Sequence, residues 1–455
     1  MKRKIIRLTL GLLLLLGLPL AAWRMYFAHV INQQLAQIHA AGLPTNGEEL
    51  NRWYPAAPDN QNAALVLTQA FALLKTINAS SDARAEAAWK LKDKFPRRAD
   101  LFTPEQADLI RWYVETNQPA LEKARAALAL PACRYPIDCR WLMSTELPHL
   151  AHLVNLANLN QCRAALAILD GQKESSLENI ETILALARTL DAEPCLISQL
   201  VRLRMVRMAF TTLQQRAEAG AFTQAELVKL NNLFTGIHTT NVAAFALIGD
   251  RALTIPYFRM TKSEALRLHP PTDQDDGKPN SPLPCHGPAV LRLIGYYELD
   301  YGSFLIGMNK AIALLSNTPP HNLRAAGYFS RVGEESTKRR RTLSGQTMSA
   351  YASVPLHENE AVAHQRLALT ALAVENYRNE TGGLPKELEE LVPKYFAEVP
   401  EDPFTGLGLE YRRTKNGYAL YSVGRDRQDN GGLEQADKKE SDDKKSYDIT
   451  FIVER

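Results

Sequence analysis

The stretch LAHLVNLANLNQCRAALAILDGQKESSLENIETILALARTL, residues 150–190, decides the broad fold. Leucine, isoleucine and alanine return at three- and four-residue steps as far as Leu169, which is the mark of one apolar stripe on a helix. Asp170-Gly171 breaks the run, and a second striped segment begins near Ser175 or Ser176. The stretch predicts two helices joined by a tight turn. The same periodicity extends outward through NAALVLTQAFALLKTI from Asn62, TPEQADLIRWYVETNQPALEKARAALAL from Thr103 and TQAELVKLNNLF from Thr223. Two of these starts carry their own chemistry. Thr103 with Gln106, and Thr223 with Glu226, form capping boxes in which a hydroxyl and a side chain three residues on satisfy free backbone N–H groups.

The hairpin layout resembles one tetratricopeptide-like unit, yet no period of about 34 residues recurs. The chain is therefore read as mainly α: an N-terminal membrane helix, an irregular α-helical bundle or solenoid, and a small C-terminal α+β module. Residues 1–27 form the anchor or signal segment and residues 28–268 the helical domain. Residues 269–288, HPPTDQDDGKPNSPLPCHGP, sustain neither helix nor sheet and read as an exposed loop. Residues 289–316 return to the helical domain, residues 317–357 read as an irregular connector, and residues 358–455 make the C-terminal module. The basic run Lys338 to Arg341 in the connector reads first as a solvated patch, and second as a contact for anionic lipid or an acidic partner.

With 455 residues and 45% hydrophobic composition the chain has ample material for a core. A net charge of +3, with basic residues scattered among acidic ones, argues against a nucleic-acid partner. The N-terminus is more specific. MKRKIIR supplies a cationic flank, TLGLLLLLGLPLAAW an apolar segment, and no acidic residue precedes Glu48. The uncharged run from Leu8 to Trp23 spans roughly 24 Å as a helix, and Ile5 and Ile6 with a snorkelling Arg7 extend it towards a ~30 Å hydrocarbon core. Trp23, Tyr26 and Phe27 suit the membrane interface. Two readings stay open: an uncleaved inner-membrane anchor, or an export signal cleaved after Ala22. Both place the body in the periplasm or beyond it.

Five cysteines fit that compartment. Cys133 and Cys139, in PACRYPIDCRW, lie in a Pro-containing loop at a spacing that can close, and are the disulfide candidates. Cys162 and Cys195 fall on expected helices, where a buried thiol serves equally well as a small hydrophobe.

From residue 358 the texture changes. A long amphipathic helix is stopped by Gly382-Gly383; a Pro-initiated turn of helix and an antiparallel hairpin follow. The order of motifs resembles the globular domain of the type II secretion major pseudopilin: Tyr377, the G-G-L-P of Gly382 to Pro385, the L-x-x-L-V-P of Leu388 to Pro393 and Tyr395 come first. Pro400, the D-P-F-x-G of Asp402 to Gly406, Tyr411, the Y-S-x-G-x-D of Tyr421 to Asp426, Gly431-Gly432 and Asp448-Ile449 follow. That family binds calcium in its terminal loop. The resemblance implies Asp426 and Asp448 as carboxylate ligands, Ser422 as a secondary one, and Asp429 and Asp437 in reserve. Carboxylates, hydroxyls and glycine-turned carbonyls are the oxygen donors calcium takes. Two departures stand out: LEQADKKESDDKKSYD lengthens the loop, and the N-terminus lacks the pilin cleavage pattern with its glutamate. The chain is thus expected to use the pseudopilin fold without assembling as a pseudopilin.

Enzyme motifs are thin. His357-Glu358 with His364 spaces its histidines two helical turns apart, whereas a zincin needs one. His149 and His152 share a face without a nearby acid; Glu298 and Asp300 diverge on a helix; Cys285-His286 lacks an orienting acid. The sequence therefore favours an envelope-anchored, non-enzymatic scaffold with a structural calcium loop and an envelope protein partner, associated with a secretion or pilus-like machine. The alternative is an exported hydrolase whose site is assembled from distant helices.

Overall fold

The computed structural model describes residues 2–75, 83–92, 102–268, 289–434 and 447–455. The chain is mainly helical and ends in a small antiparallel sheet. Helix α1 (Lys2–Ala40) runs unbroken for 39 residues, past the expected boundary at residue 27. Over the described residues no helix is long and apolar enough to cross a membrane. The side chains of α1 up to residue 14, which carry most of the cationic and leucine-rich character expected of an anchor, lie outside the described residues.

Short α2 (Gly47–Trp53) is followed by α3 (Ala63–Leu73), α4 (Ala83–Lys92), α5 (Pro104–Thr116) and α6 (Gln118–Ala127). The run from Thr103 is two helices rather than one. Pro119 sits in the first turn of α6 and cannot continue α5, and the Asn117 side chain occupies the break, donating to Tyr113 O at 3.0 Å and accepting from Lys75 N at 2.9 Å. The expected capping box at Thr103 is formed in full.

The deciding hairpin appears as α7 (His149–Leu169) and α8 (Lys173–Arg188), turned at Gly171 with φ of 74°. Helix α9 (Leu196–Glu218) packs on both. Helix α10 (Gln224–Thr235) starts at the predicted Thr223–Glu226 capping box, and α11 (Val242–Thr254) and α12 (Lys262–Leu268) follow. Gly249 lets α11 meet the loop before α9, since a Cβ there would lie 1.7 Å from Pro194 O. The Pro-rich stretch 269–288, with Cys285 and His286, lies outside the described residues.

Helix α13 (Ala289–Leu293) and α14 (Tyr296–Leu315) are separated at Gly295, whose φ is 73°. The segment read as an irregular connector is instead a helical hairpin, α15 (Arg324–Lys338) and α16 (Thr342–Ala350). Its helices touch closely at Gly333, where a Cβ would lie 2.3 Å from Ser349 Oγ. Its turn is the basic run, with Arg340 at φ of 57°.

Helix α17 (Val354–Thr381) ends at Gly382 in the left-handed conformation, as its sequence predicts. Strands β1 (Glu410–Arg413), β2 (Gly417–Ser422) and β3 (Ile449–Glu454) form an antiparallel sheet in the order β1-β2-β3. All six residues of β2 are buried. One core joins α3, α5 to α10, α17 and the sheet; a second joins α1, α11, α14, α15 and α16. The sheet is tied to the helices at Phe210 of α9, edge-on to Phe451 of β3 at 5.4 Å between centroids. The Arg455 guanidinium adds a second tie, donating to Glu375 of α17 and to Ala217 O of α9.

Candidate functional site

The C-terminal loop that leaves β2 and returns to β3 is anchored from below by Asp402. Its carboxylate is buried and accepts from Phe404 N at 2.7 Å and from Val423 N at 2.9 Å. Ser422 is buried, and its Oγ accepts from Gly424 N at 3.3 Å. Beyond Gly424, Arg425 reaches back to α17. It donates to both Glu360 oxygens at 2.5 and 2.9 Å, and its guanidinium lies 3.0 Å from His357 Nδ1. Burial opposes the ionisation of Glu360, but hydrogen bonds from His357 and Arg425 outweigh it and hold the carboxyl at about 2.

Three of the expected carboxylates share one loop without converging on one point. Asp426 accepts from Gln428 N at 3.2 Å and Asn430 Nδ2 at 3.3 Å; Asp429 accepts from Gly431 N at 2.7 Å. Asp448 is buried and accepts from Asn430 N at 3.4 Å and Gly432 N at 2.7 Å. Gly431 and Gly432 both have positive φ, 70° and 73°, which turns their N–H groups towards these carboxylates. Asp437 lies outside the described residues.

The loop is electrostatically anionic at its base. Burial, with the Asp429 charge added, holds the Asp448 carboxyl above the usual range against the two backbone N–H donors. Burial likewise raises Glu410, aided by Asp429, Asp402 and Asp448. Tyr421 is pushed to about 12 by burial and by the Asp429 charge and hydrogen bond. The donor types suit a hard cation, since residues 422–434 supply carboxylates, a hydroxyl and carbonyls but neither thiol nor imidazole. The arrangement is an amide-satisfied one: among the described residues no three His, Cys, Asp or Glu side chains gather as a metal site.

Other motifs separate cleanly. Glu358 turns away from His357 and His364 and caps α11, accepting from Asn241 N at 3.1 Å, Ala243 N at 2.6 Å and Asn322 Nδ2 at 3.2 Å. The two histidines line a groove of about 230 Å³ with Arg204, Arg207 and Glu360. A zincin centre is thereby excluded by geometry, because the glutamate it needs as base is committed to the amides that open α11. Glu298 pairs with Arg24, while Asp300 accepts from Leu343 N and the Ser344 hydroxyl, so the two diverge as their spacing predicts.

Two expectations are corrected. His149 does have an acid: Glu193, from the turn before α9, lies 3.0 Å from its Nε2, and Tyr135 stacks on the imidazole at 4.0 Å. Ser198 Oγ donates to the same Glu193 oxygen at 2.5 Å. A nucleophilic triad needs the hydroxyl on the imidazole, not on the acid, so this buried grouping serves as a packed polar network. Cys133 and Cys139 are not joined; both thiols are free. The Cys139 side chain is hydrogen-bonded to that of Cys195, while Cys133 is engaged with Tyr135, because the loop carries the two thiols to different neighbours.

Compared with known proteins, the chain matches no family model, no curated protein and no solved structure.

Glu358 yields a pH prediction. Burial raises its carboxyl from 4.5 to about 7 in the folded chain, against the lowering effect of the α11 amides. The folded state therefore holds a proton that the unfolded state has released across that window. The contribution is full below the unfolded value and is lost as pH rises to about 7. Urea unfolding should show Glu358→Gln gaining on the wild-type chain as pH rises through the window. A stability difference that stays constant with pH would show that Glu358 does not titrate there.

Proposed function

We propose that the protein is a membrane-anchored, non-enzymatic scaffold of a cell envelope, with its body on the periplasmic side of an inner membrane. The observation that carries this reading is the continuity of α1. Its C-terminal half is packed into the bundle against α14, and its N-terminal half begins with MKRKIIR and the leucine-rich run. From Ile5 to Trp23, with Arg7 snorkelling, the helix extends about 28 Å, close to a ~30 Å hydrocarbon core. Exposed Leu15, Leu18, Met25 and Tyr26 suit lipid and interface better than water. The helical body then presents surfaces to an envelope protein partner. Its C-terminal helix-and-sheet unit follows the order of the pseudopilin resemblance, consistent with a place at a secretion or pilus-like machine. A reporter enzyme fused after Arg455 should be active only outside the cytoplasm; activity in the cytoplasm would refute the orientation.

The loop reading is that Asp426, Asp448 and Ser422, with neighbouring carbonyls and Asp429, hold a calcium ion. Burial, with the Asp429 charge added, disfavours the ionised form of Asp448, and burial with the Asp429, Asp402 and Asp448 charges does the same for Glu410; this supports the reading, because a bound cation relieves both. An ion taken only by the folded chain stabilises it by about 2.7 kcal/mol at a hundredfold excess over Kd. The full chain in lipid nanodiscs should melt at higher temperature in millimolar calcium than in chelator, with magnesium a poor substitute and Asp426→Asn abolishing most of the gain. Identical melting in calcium and chelator would leave the loop an amide-capped acidic turn.

A further inference from the structure

We propose that the end of the bundle from which α1 emerges is itself a docking surface for an anionic lipid bilayer, built from α13 and the basic turn between α15 and α16. The inference rests on the reading of α1 as an anchor and adds a second, separate membrane contact.

The geometry begins with the direction of α1. Arg24 donates to Glu298 at 2.7 Å, Phe27 and Ile31 lie against Gly302, and Gln34 accepts from Asn309 at 2.8 Å. Residue numbers rise together, so α1 and α14 run parallel. The part of α1 before Leu20 therefore projects past the start of α14, on the side where α13 sits.

That side is apolar where water would favour polar groups. Val290 and Leu293 of α13 are 58% and 64% exposed, and Ile294 after them is 41% exposed. Trp23 of α1 is exposed beside Ile294. Tyr296 joins this surface to the basic turn. Its ring lines a recess of about 330 Å³ with Leu20, Trp23, Ile294 and Leu299, and its hydroxyl donates to Arg339 O at 3.0 Å. The positive charges of Arg340 and Arg341 lie close enough to act on that phenol.

The basic turn has charge to spare. Lys338, Arg339 and Arg340 are exposed, and only Lys338 has an ion-pair partner among the described residues, Glu334 at 3.9 Å. Burial disfavours the charged form of Arg341, and the neighbouring Arg339 charge adds to that. Exposed aliphatic side chains beside aromatic residues and unneutralised arginines match the layered chemistry of an anionic bilayer surface: acyl chains, interface, phosphate. A neutral protein partner would leave the arginines unmatched, and an acidic one would leave Val290 and Leu293 in water.

The test is lipid photo-crosslinking of the full chain in nanodiscs of phosphatidylglycerol or phosphatidylcholine, with a benzophenone side chain at position 18, 293 or 433. Positions 18 and 293 should crosslink to phosphatidylglycerol, and position 433, on the C-terminal loop, should not. Arg339→Glu with Arg340→Glu should lower the yield at 293 by at least about threefold and leave position 18 unchanged. Crosslinking at 18 without any at 293 would overturn this inference while the anchor stands; none at 18 would overturn the anchor and this inference with it. Equal yields at 293 in both lipids, or crosslinks from 293 to a second copy of the chain, would also overturn it.

Discussion

The seam between α1 and α14 is the constraint on which the rest depends. Gly302 presents no side chain, so Phe27 and Ile31 settle directly on the α14 backbone, and the Arg24–Glu298 and Gln34–Asn309 pairs fix register at either side of that contact. Asn309 also accepts from Arg251 at 2.7 Å, which carries the register from α1 through α14 into α11. A helix held this way cannot rotate or slide without breaking both polar pairs and one close packing contact. On the proposed reading, the angle at which the bundle meets the bilayer is set inside the protein rather than left to a flexible tether.

Helix α17 plays the matching role at the other end. Gln365 donates to Phe234 O and Ile237 O at 2.7 and 2.8 Å, which ties it to the end of α10, while Glu358 caps α11 and Glu375 meets the C-terminal arginine. The sheet has a fully buried central strand and, among the described residues, three strands, so most of what covers it comes from α17 and α9. The loop between β2 and β3 is in turn held to α17 by Arg425 on Glu360. A cation at the loop would therefore be felt by the helical body and not by the sheet alone.

What the sequence made legible was local chemistry. The boxes at Thr103 and Thr223, the Gly171 turn and the Gly382 stop all follow from residues within a few positions of each other. What it concealed depends on partners far along the chain. Glu193 meets His149 across 44 residues, and Asp300 supports Leu343 and Ser344 across more than forty. Cys139 faces Cys195 rather than its nearer neighbour Cys133. The α15–α16 hairpin was hidden because Pro319-Pro320 and the basic run both read as breaks, while its close contact at Gly333 and Ser349 has no signature in spacing. In the candidate loop, Asp448 and its paired glycines were legible, but the hold of Arg425 on α17 was not.

On the proposed reading, one unbroken helix couples a bilayer to the bundle. The most direct test of that coupling is the distance between spin labels at positions 18 and 37 of α1, measured by pulsed electron resonance on the full chain in lipid nanodiscs. A continuous helix places these backbone positions about 28 Å apart and gives one narrow distribution near that value. A broad distribution, or one centred well below it, would mean that α1 breaks where it leaves the bundle and that the body hangs from the membrane on a hinge.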